Sequence, residues 1–177
     1  MFDFGDGPVP AHQHVNGDGW VADTAHVDQT AYVGPDAMVY GQAWVYGQAV
    51  VYGHARVYGE ALVYDHAQVS GHAQVCGGAS VFGYAYVFGG AQVYDRAWVS
   101  GNAEIYDQAR VYGQAWVYGR AWVYGQAHVC DQARVDGQAR VCDEVWGGNV
   151  EIDGGERVDS SPDMSLEEEF FSRIGGS

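Results

Sequence analysis

The chain of 177 residues contains no lysine; its eight strongly basic side chains are all arginine. No basic patch of the kind that grips phosphate backbones is present, so direct nucleic-acid binding is not expected. No apolar run reaches about 18 residues, which excludes a transmembrane helix. The opening residues Met1-Phe2-Asp3-Phe4-Gly5-Asp6 lack the basic and apolar regions of a secretory signal. Cysteine is scarce, with three residues that all occupy one repeat position, so they read as substitutions within a column and not as a disulfide framework. A reducing, cytoplasmic setting is the expectation. Phosphate-binding loops, nucleophile elbows and Cys-x-x-Cys pairs are missing too. The 26 glycines lack the every-third spacing of collagen and fall mainly on one repeat position.

What the chain does have is one six-residue phrase said repeatedly. Val39-Tyr40-Gly41-Gln42-Ala43-Trp44 is followed by Val45-Tyr46-Gly47-Gln48-Ala49-Val50. Alanine recurs at every sixth position from Ala31 to Ala139, with valine two residues after each one and Ile105 the only exception. A fixed short period marks a solenoid, whose units are too small to bury a face alone and must stack. Two columns two residues apart share one side of an extended segment, so Ala and Val point inward and the variable residue between them outward. The two remaining residues, usually Gly or Asp and then a polar one, must turn the corner, where positive φ is cheap for Gly and tolerated by Asp. Pro35 takes the Gly position at one corner, so that turn is expected to rely on Asp36.

The net charge of −15 is unevenly placed. Residues 1–36 hold six Asp and no Arg; residues 37–142 hold seven acids against six arginines; residues 143–177 hold ten acids against two arginines. The repeat body is nearly neutral and the acidity sits at its ends.

The Val-x-x-x-Ala-x period resembles the hexapeptide repeat of left-handed parallel β-helices, and 22 aliphatic positions from Val15 to Val141 carry the resemblance. It implies an all-β fold, a triangular, single-stranded left-handed parallel β-helix with three hexapeptides per coil. That gives about seven 18-residue coils and a rod of about 34 Å. Cys76 and Cys130 are then three coils apart, too far for a disulfide. The wording Val-Tyr-Gly-x-Ala-x, with Gly19-Trp20-Val21-Ala22-Asp23-Thr24-Ala25 before it, is similar to repeat proteins of bacteria, phages and prophages that mostly lack an assigned function. The implied location is the bacterial cytoplasm, or the host's if the protein is phage-encoded.

With three hexapeptides per coil, the outward column sorts onto three faces. The first carries His26, Trp44, Leu62, Ser80, Trp98, Trp116 and Arg134, and the neighbouring column adds Tyr46, Tyr64, Phe82 and Tyr118. The second holds Tyr32, Val50, Gln68, Tyr86, Glu104, Trp122 and Arg140; the third Trp20, Met38, Arg56, Gln74, Gln92, Arg110 and His128. Tyrosine runs along every face and is explained by aromatic stacking between coils. Tryptophan concentrates on the first face, which is therefore the candidate surface for a protein partner or for a homo-oligomer. Trimers are what the resemblance implies for acyltransferase relatives.

Acyltransferases of this fold use a histidine base at a subunit boundary. Here His12 and His14 precede the repeats, His26 and His128 point outward, and His54, His66 and His72 sit at corners. No hexapeptide is interrupted between Ala31 and Val141, so no extruded loop shapes a substrate pocket, and the enzyme reading ranks third. His54 and His72 share a corner column with Asp36, but a straight column does not converge as a zinc site must. No cofactor or metal is expected. The absence of threonine after Thr30 argues against an ice-binding array.

Three segments follow: residues 1–14 as an N-terminal cap with Phe2, Phe4 and Val9, residues 15–152 as the β-helix, and residues 153–177 as an acidic linker and helix. The register breaks after Val141, with Val145 kept on the alanine column and Val150 and Ile152 one residue early. Ser165-Leu166-Glu167-Glu168 has capping-box spacing, and Leu166, Phe170 and Ile174, flanked by Phe171, recur at helical intervals before Gly175-Gly176. That helix, over 162–174, is read as a C-terminal cap, a docking peptide or a swapped element. The leading expectation is a non-catalytic β-helix that binds a protein through the first face, the acidic tail, or both. The runner-up is a counter-defence or regulatory inhibitor that mimics DNA by its acidity, which the neutral body argues against.

Overall fold

Two inward columns per hexapeptide leave room for very short strands, and a computed structural model, describing residues 1–154 and the strand Arg157–Val158, is built from them. The first strands are β1 (Phe2–Asp3), β2 (Pro8–Val9), β3 (Ala11–Gln13), β4 (Trp20–Ala22), β5 (His26–Val27) and β6 (Tyr32–Val33). From β7 (Met38–Val39) onward, strands of two or three residues recur once per hexapeptide to β24 (Arg140–Cys142). The run closes with β25 (Val145–Trp146), β26 (Glu151–Ile152) and β27 (Arg157–Val158). Among the described residues there is no helix, and the expected helix with Leu166, Phe170, Phe171 and Ile174 lies outside them.

Three parallel sheets enclose the interior in a β-solenoid of about seven coils. The first sheet runs from β5 to β26, the second from β6 to β27, and the third from β4 to β25 with β3 added at its end. Partners in each sheet are equivalent residues of successive coils, as in Leu62 with Ser80, Gln68 with Tyr86 and Arg56 with Gln74. The three faces are thus composed as the repeat implies. Every alanine from Ala31 to Ala139 and every aliphatic residue from Val33 to Val141 in the two columns is at most 1 % exposed. Burying one valine is worth about 1.5–3 kcal/mol, and each coil repeats that gain three times.

Backbone N–H groups donate to carbonyls of the next coil, from the strands (His26 N–H to Ala43 O, 2.9 Å) and from the corners (Gln42 N–H to Gly59 O, 2.7 Å). The corners stack so tightly that a Cβ on Gly41, whose φ is +72°, would lie 2.8 Å from the nitrogen of Gly59. Aspartate also takes the positive-φ position, at Asp65, Asp95, Asp107 and Asp131. There it does more than tolerate the geometry. The carboxylates of Asp65, Asp95, Asp107 and Asp131 accept the N–H groups of Gly83, Gly113, Gly125 and Gly148 in the next coil at 3.0–3.2 Å. Each such aspartate is followed a coil later by glycine, which keeps like charges apart.

The first coil turns differently. Asp36 does not take positive φ, and neither does Pro35 or Gly34. Ala37 N–H donates to Gly34 O at 2.9 Å, as Ala25 does to Ala22 and Ala31 to Asp28, a bond that later corners also make but more loosely, as Ala67 does to Tyr64 at 3.3 Å. Proline suits the second position of such a turn, so no left-handed residue is needed. The hydroxyls of Thr24 and Thr30 donate to Gly41 O (2.5 Å) and Gly47 O (2.6 Å), where later coils use a backbone N–H.

Both ends depart from the column pattern. Val15 is exposed, and the inward column begins at Val21. Residues 14–19 loop over the end of the second sheet, and β1 and β2 form an antiparallel hairpin whose Phe4 is buried against Tyr40, ring centroids 4.9 Å apart. At the other end one residue drops out of the coil before β25. Val145 pairs with outward His128 and is exposed; Trp146 pairs with inward Val129 and packs against the core. Val145 therefore leaves the alanine column, because Glu144 O has already accepted the His128 N–H. Ile152 is inward again, opposite Val135, and β27 pairs with β24 beyond residue 152, inside the segment read as a linker.

Val87→Asp and Ala85→Trp are expected to abolish folding, since an unpaired buried carboxylate costs several kcal/mol and an indole overfills the interior. Near-native β-sheet circular dichroism and melting in either variant would show the inside and outside columns to be exchanged. Gly71→Ala, at φ +67° with a Cβ 3.0 Å from Gly89 N, should destabilise by about 1–3 kcal/mol, measurable by denaturant melting.

Candidate functional site

The outward column of the first sheet has no inward constraint, so its side chains report what the surface is for. Trp44, Trp98 and Trp116 are 48, 44 and 42 % exposed, whereas Trp20, Trp122 and Trp146 are half-buried. The exposed indoles lie on the first face alone among the described residues. Trp44 is covered on one side by His26, ring centroids 4.4 Å apart. Trp98 and Trp116 are parallel at 5.2 Å, and the Arg134 guanidinium closes that stack 5.4 Å from the Trp116 ring. Between the two groups Leu62 is half-buried and Ser80 buried, so the face has two lobes separated by a small residue.

Beside it runs the corner column. Tyr46, Tyr64 and Phe82 stack at 4.9 Å with planes within 2°. Ser100 interrupts the ladder, and Trp98 meets Phe82 edge-on at 6.1 Å. Tyr46, Tyr64, Phe82, Trp98, Trp116 and Arg134 thus form one continuous run of ring contacts. Tyr118 lies beyond the gap with no aromatic stacking partner among the described residues. Stacking along the rod uses the ring faces, so the indoles of Trp98 and Trp116 present edges to solvent. A shallow hollow of about 390 Å³ continues the face toward the C-terminal end, lined by Gln114, Trp116, Gln132, Arg134, Val150 and Glu151 among others.

The face assignment from the repeat does not single out Tyr84, yet Tyr84 is 64 % exposed at the corner bordering this face, stacked on His66 at 4.8 Å. Its signal in the sequence is composition within a column: it is the one Tyr at a corner position otherwise holding Thr, Gln, His, Asn and Arg.

The other two faces close their own gaps. On the second, Ser70 interrupts the corner ladder, and the Tyr86 hydroxyl fills the space, 2.6 Å from the Tyr52 hydroxyl and accepting from Ser70 Oγ at 3.2 Å. His54 and His72 rings stack at 5.0 Å with their planes inclined by 21°, and do not converge. Among the described residues no three His, Cys, Asp or Glu side chains gather as a metal site would require. Cys76 and Cys130 are free thiols inside the corner ladder that also holds Tyr58 and Tyr112, and Cys142 Sγ lies 2.9 Å from Asp143 Oδ2.

No family model matches the chain, and comparisons with curated proteins and with solved structures return no match.

The stacked phenols resist ionisation. Burial raises those of Tyr46, Tyr64, Tyr94 and Tyr106, and the hydrogen bond with Cys130, then burial, pushes Tyr112 up to about 12. An unfolded tyrosine ionises near pH 10, so the stability linked to these phenols is complete below about pH 10 and is lost as pH rises through their folded values. A residue-resolved titration of Tyr46, Tyr64, Tyr94 and Tyr106 by NMR should therefore stay flat past the ordinary midpoint and then change with loss of β-sheet signal. Cys130→Ala should bring Tyr112 down while leaving Tyr46 and Tyr64 unmoved.

Proposed function

We propose that this protein is a non-catalytic scaffold of the hexapeptide-repeat β-helix kind, which works by presenting the first face of a rigid rod to a protein surface, its own or a partner's. The observation that carries the reading is the exposure of Trp44, Trp98 and Trp116 on that face alone among the described residues. Tryptophan is enriched in the energetic centres of protein interfaces, and here its side chains are held in fixed rows by stacking, which lowers the entropy lost on binding. The corners support the non-catalytic part of the proposal. From Tyr40 to Cys142 every corner is a two-residue turn with no inserted loop, and the corner histidines His54, His66 and His72 are stacked on neighbours. The corner aspartates engage backbone N–H groups with their carboxylates, which weighs against their forming a phosphate-like row. No helix among the described residues is long and apolar enough to cross a membrane.

The test separates face from fold. Trp98→Arg with Trp116→Arg should leave the β-sheet circular dichroism unchanged, because both side chains point outward, should lower melting by no more than the loss of their ring contacts, and should cost about 2 kcal/mol or more of association. Sedimentation should show a smaller species than the unaltered chain if the face joins copies. If the unaltered chain is already a monomer, binding to a purified partner should be lost by the same pair. Matching changes at Gln74 and Gln92 on the third face should alter neither. An assembly untouched by the tryptophan changes but lost on deleting residues 162–177 would assign the contact to the tail and overturn the reading.

A further inference from the structure

The three sheets do not end alike. Inward residues direct their N–H and C=O toward the preceding coil, so the first coil must find other partners for one alanine-column carbonyl and for both backbone groups of the valine. On the second sheet the cap supplies all of them. Ala31 O lies 3.1 Å from His14 Nε2 and accepts from Asn16 Nδ2 at 3.0 Å. Val33 N–H donates to Asn16 O at 3.0 Å, and Val33 O accepts from Gly19 N–H at 2.9 Å. On the third sheet β3 lies antiparallel along β4, with His12 opposite Val21. On the first sheet nothing does this. Strand β5 ends its sheet and pairs only with β8 (Trp44–Val45), so Ala25 O, Val27 N–H and Val27 O meet no strand or loop among the described residues. Val27 is correspondingly only half-buried.

A hollow of about 390 Å³ adjoins this edge, at the corner that leads into β5. Phe4, Val9, Pro10, Ala22 and Tyr40 give it an apolar lining, and Asp6 and Asp23 add carboxylates. The surrounding charge is predominantly negative: residues 1–36 contain six Asp and neither Lys nor Arg, and of the two carboxylates at the hollow Asp23 is already bonded to His12 Nδ1 at 2.8 Å.

We propose that the N-terminal edge of the first sheet is a strand-addition site for an extended basic segment of a partner protein. The segment pairs its backbone with Val27 and Ala25, as a third piece of cap would, and seats one apolar side chain in the hollow. Its cations answer the aspartates, which carry the choice of partner. A second copy of this chain is a poor occupant, because head-to-head pairing would bring six aspartates against six. That repulsion protects an open edge from self-association while leaving it available to a strand of opposite charge. The site is separate from the tryptophan rows, since it uses the end of the sheet and not its outer surface.

The probe is an N-acetylated, C-amidated hexapeptide of alternating arginine and valine, titrated into the full chain. Saturable binding below about 1 mM is expected, with slowed hydrogen exchange at the Val27 amide. The same peptide N-methylated on the residues that would face β5 should bind at least about tenfold more weakly, having lost its own donors. The glutamate–valine analogue should be weakened as much by charge. Val27→Pro removes an N–H that no other described residue uses, so it should keep the melting profile and lose binding. If that variant does not fold, the N-methylated peptide decides alone. The proposal is overturned if no saturable binding occurs, if the N-methylated peptide binds like its parent, or if Val27 exchange is unchanged at saturation.

Discussion

Coil stacks on coil through backbone groups that reach the same distance ahead in sequence, to the neighbouring coil, until the last coil shortens the step by one residue, and this offset governs the rest of the structure. It holds each strand in register with its equivalent one coil away and places inward valine above inward valine. The interior is then a column of alanine and valine with little freedom of size, widened by one methylene at Ile105. The corners must be glycine, or aspartate that turns its carboxylate into an acceptor for the coil below. Stability in such an array is close to a sum of like increments between neighbours, with the ends setting where it stops.

Stacking identical positions also makes any substitution a gap or a clash in a ladder, and the molecule answers gaps locally. Where Ser70 replaces tyrosine, Tyr86 leans in; where Ser100 does, Trp98 meets Phe82 edge-on. Outward residues on adjoining columns therefore serve two roles. Trp98 both repairs a ladder and remains exposed, which ties the candidate binding face to the rod's own cohesion.

The repeat is legible in the sequence because its period is redundant. Ala85 or Val87 can be placed from any of the other coils, and the alternation in a strand admits only one inward set. The same redundancy explains the tryptophan face, once a coil length is granted. The ends are not legible, since each boundary residue answers to contacts outside the period. Val15 continues the spacing yet faces solvent, because the loop that carries it is held by Asn16 and Gly19 against Val33. Val145 also keeps the spacing, but the chain shortens by one residue and turns Trp146 inward instead. Pro35 points wrongly to Asp36 because turns without positive φ belong to the first coil, which has no coil above it to match.

An offset kept through the body of the rod makes insertions and deletions act in two distinct ways. Gaining or losing one whole coil anywhere between the ends changes the separation of the two termini by about 4.8 Å and leaves every surface facing where it did. Gaining or losing a single hexapeptide leaves the interior equally content but rotates everything downstream by a third of a turn, carrying an exposed tryptophan row onto a different side. Length and orientation are thus independently adjustable by simple duplications of one short segment, a form of variability closed to proteins whose cores are assembled from distant parts of the chain.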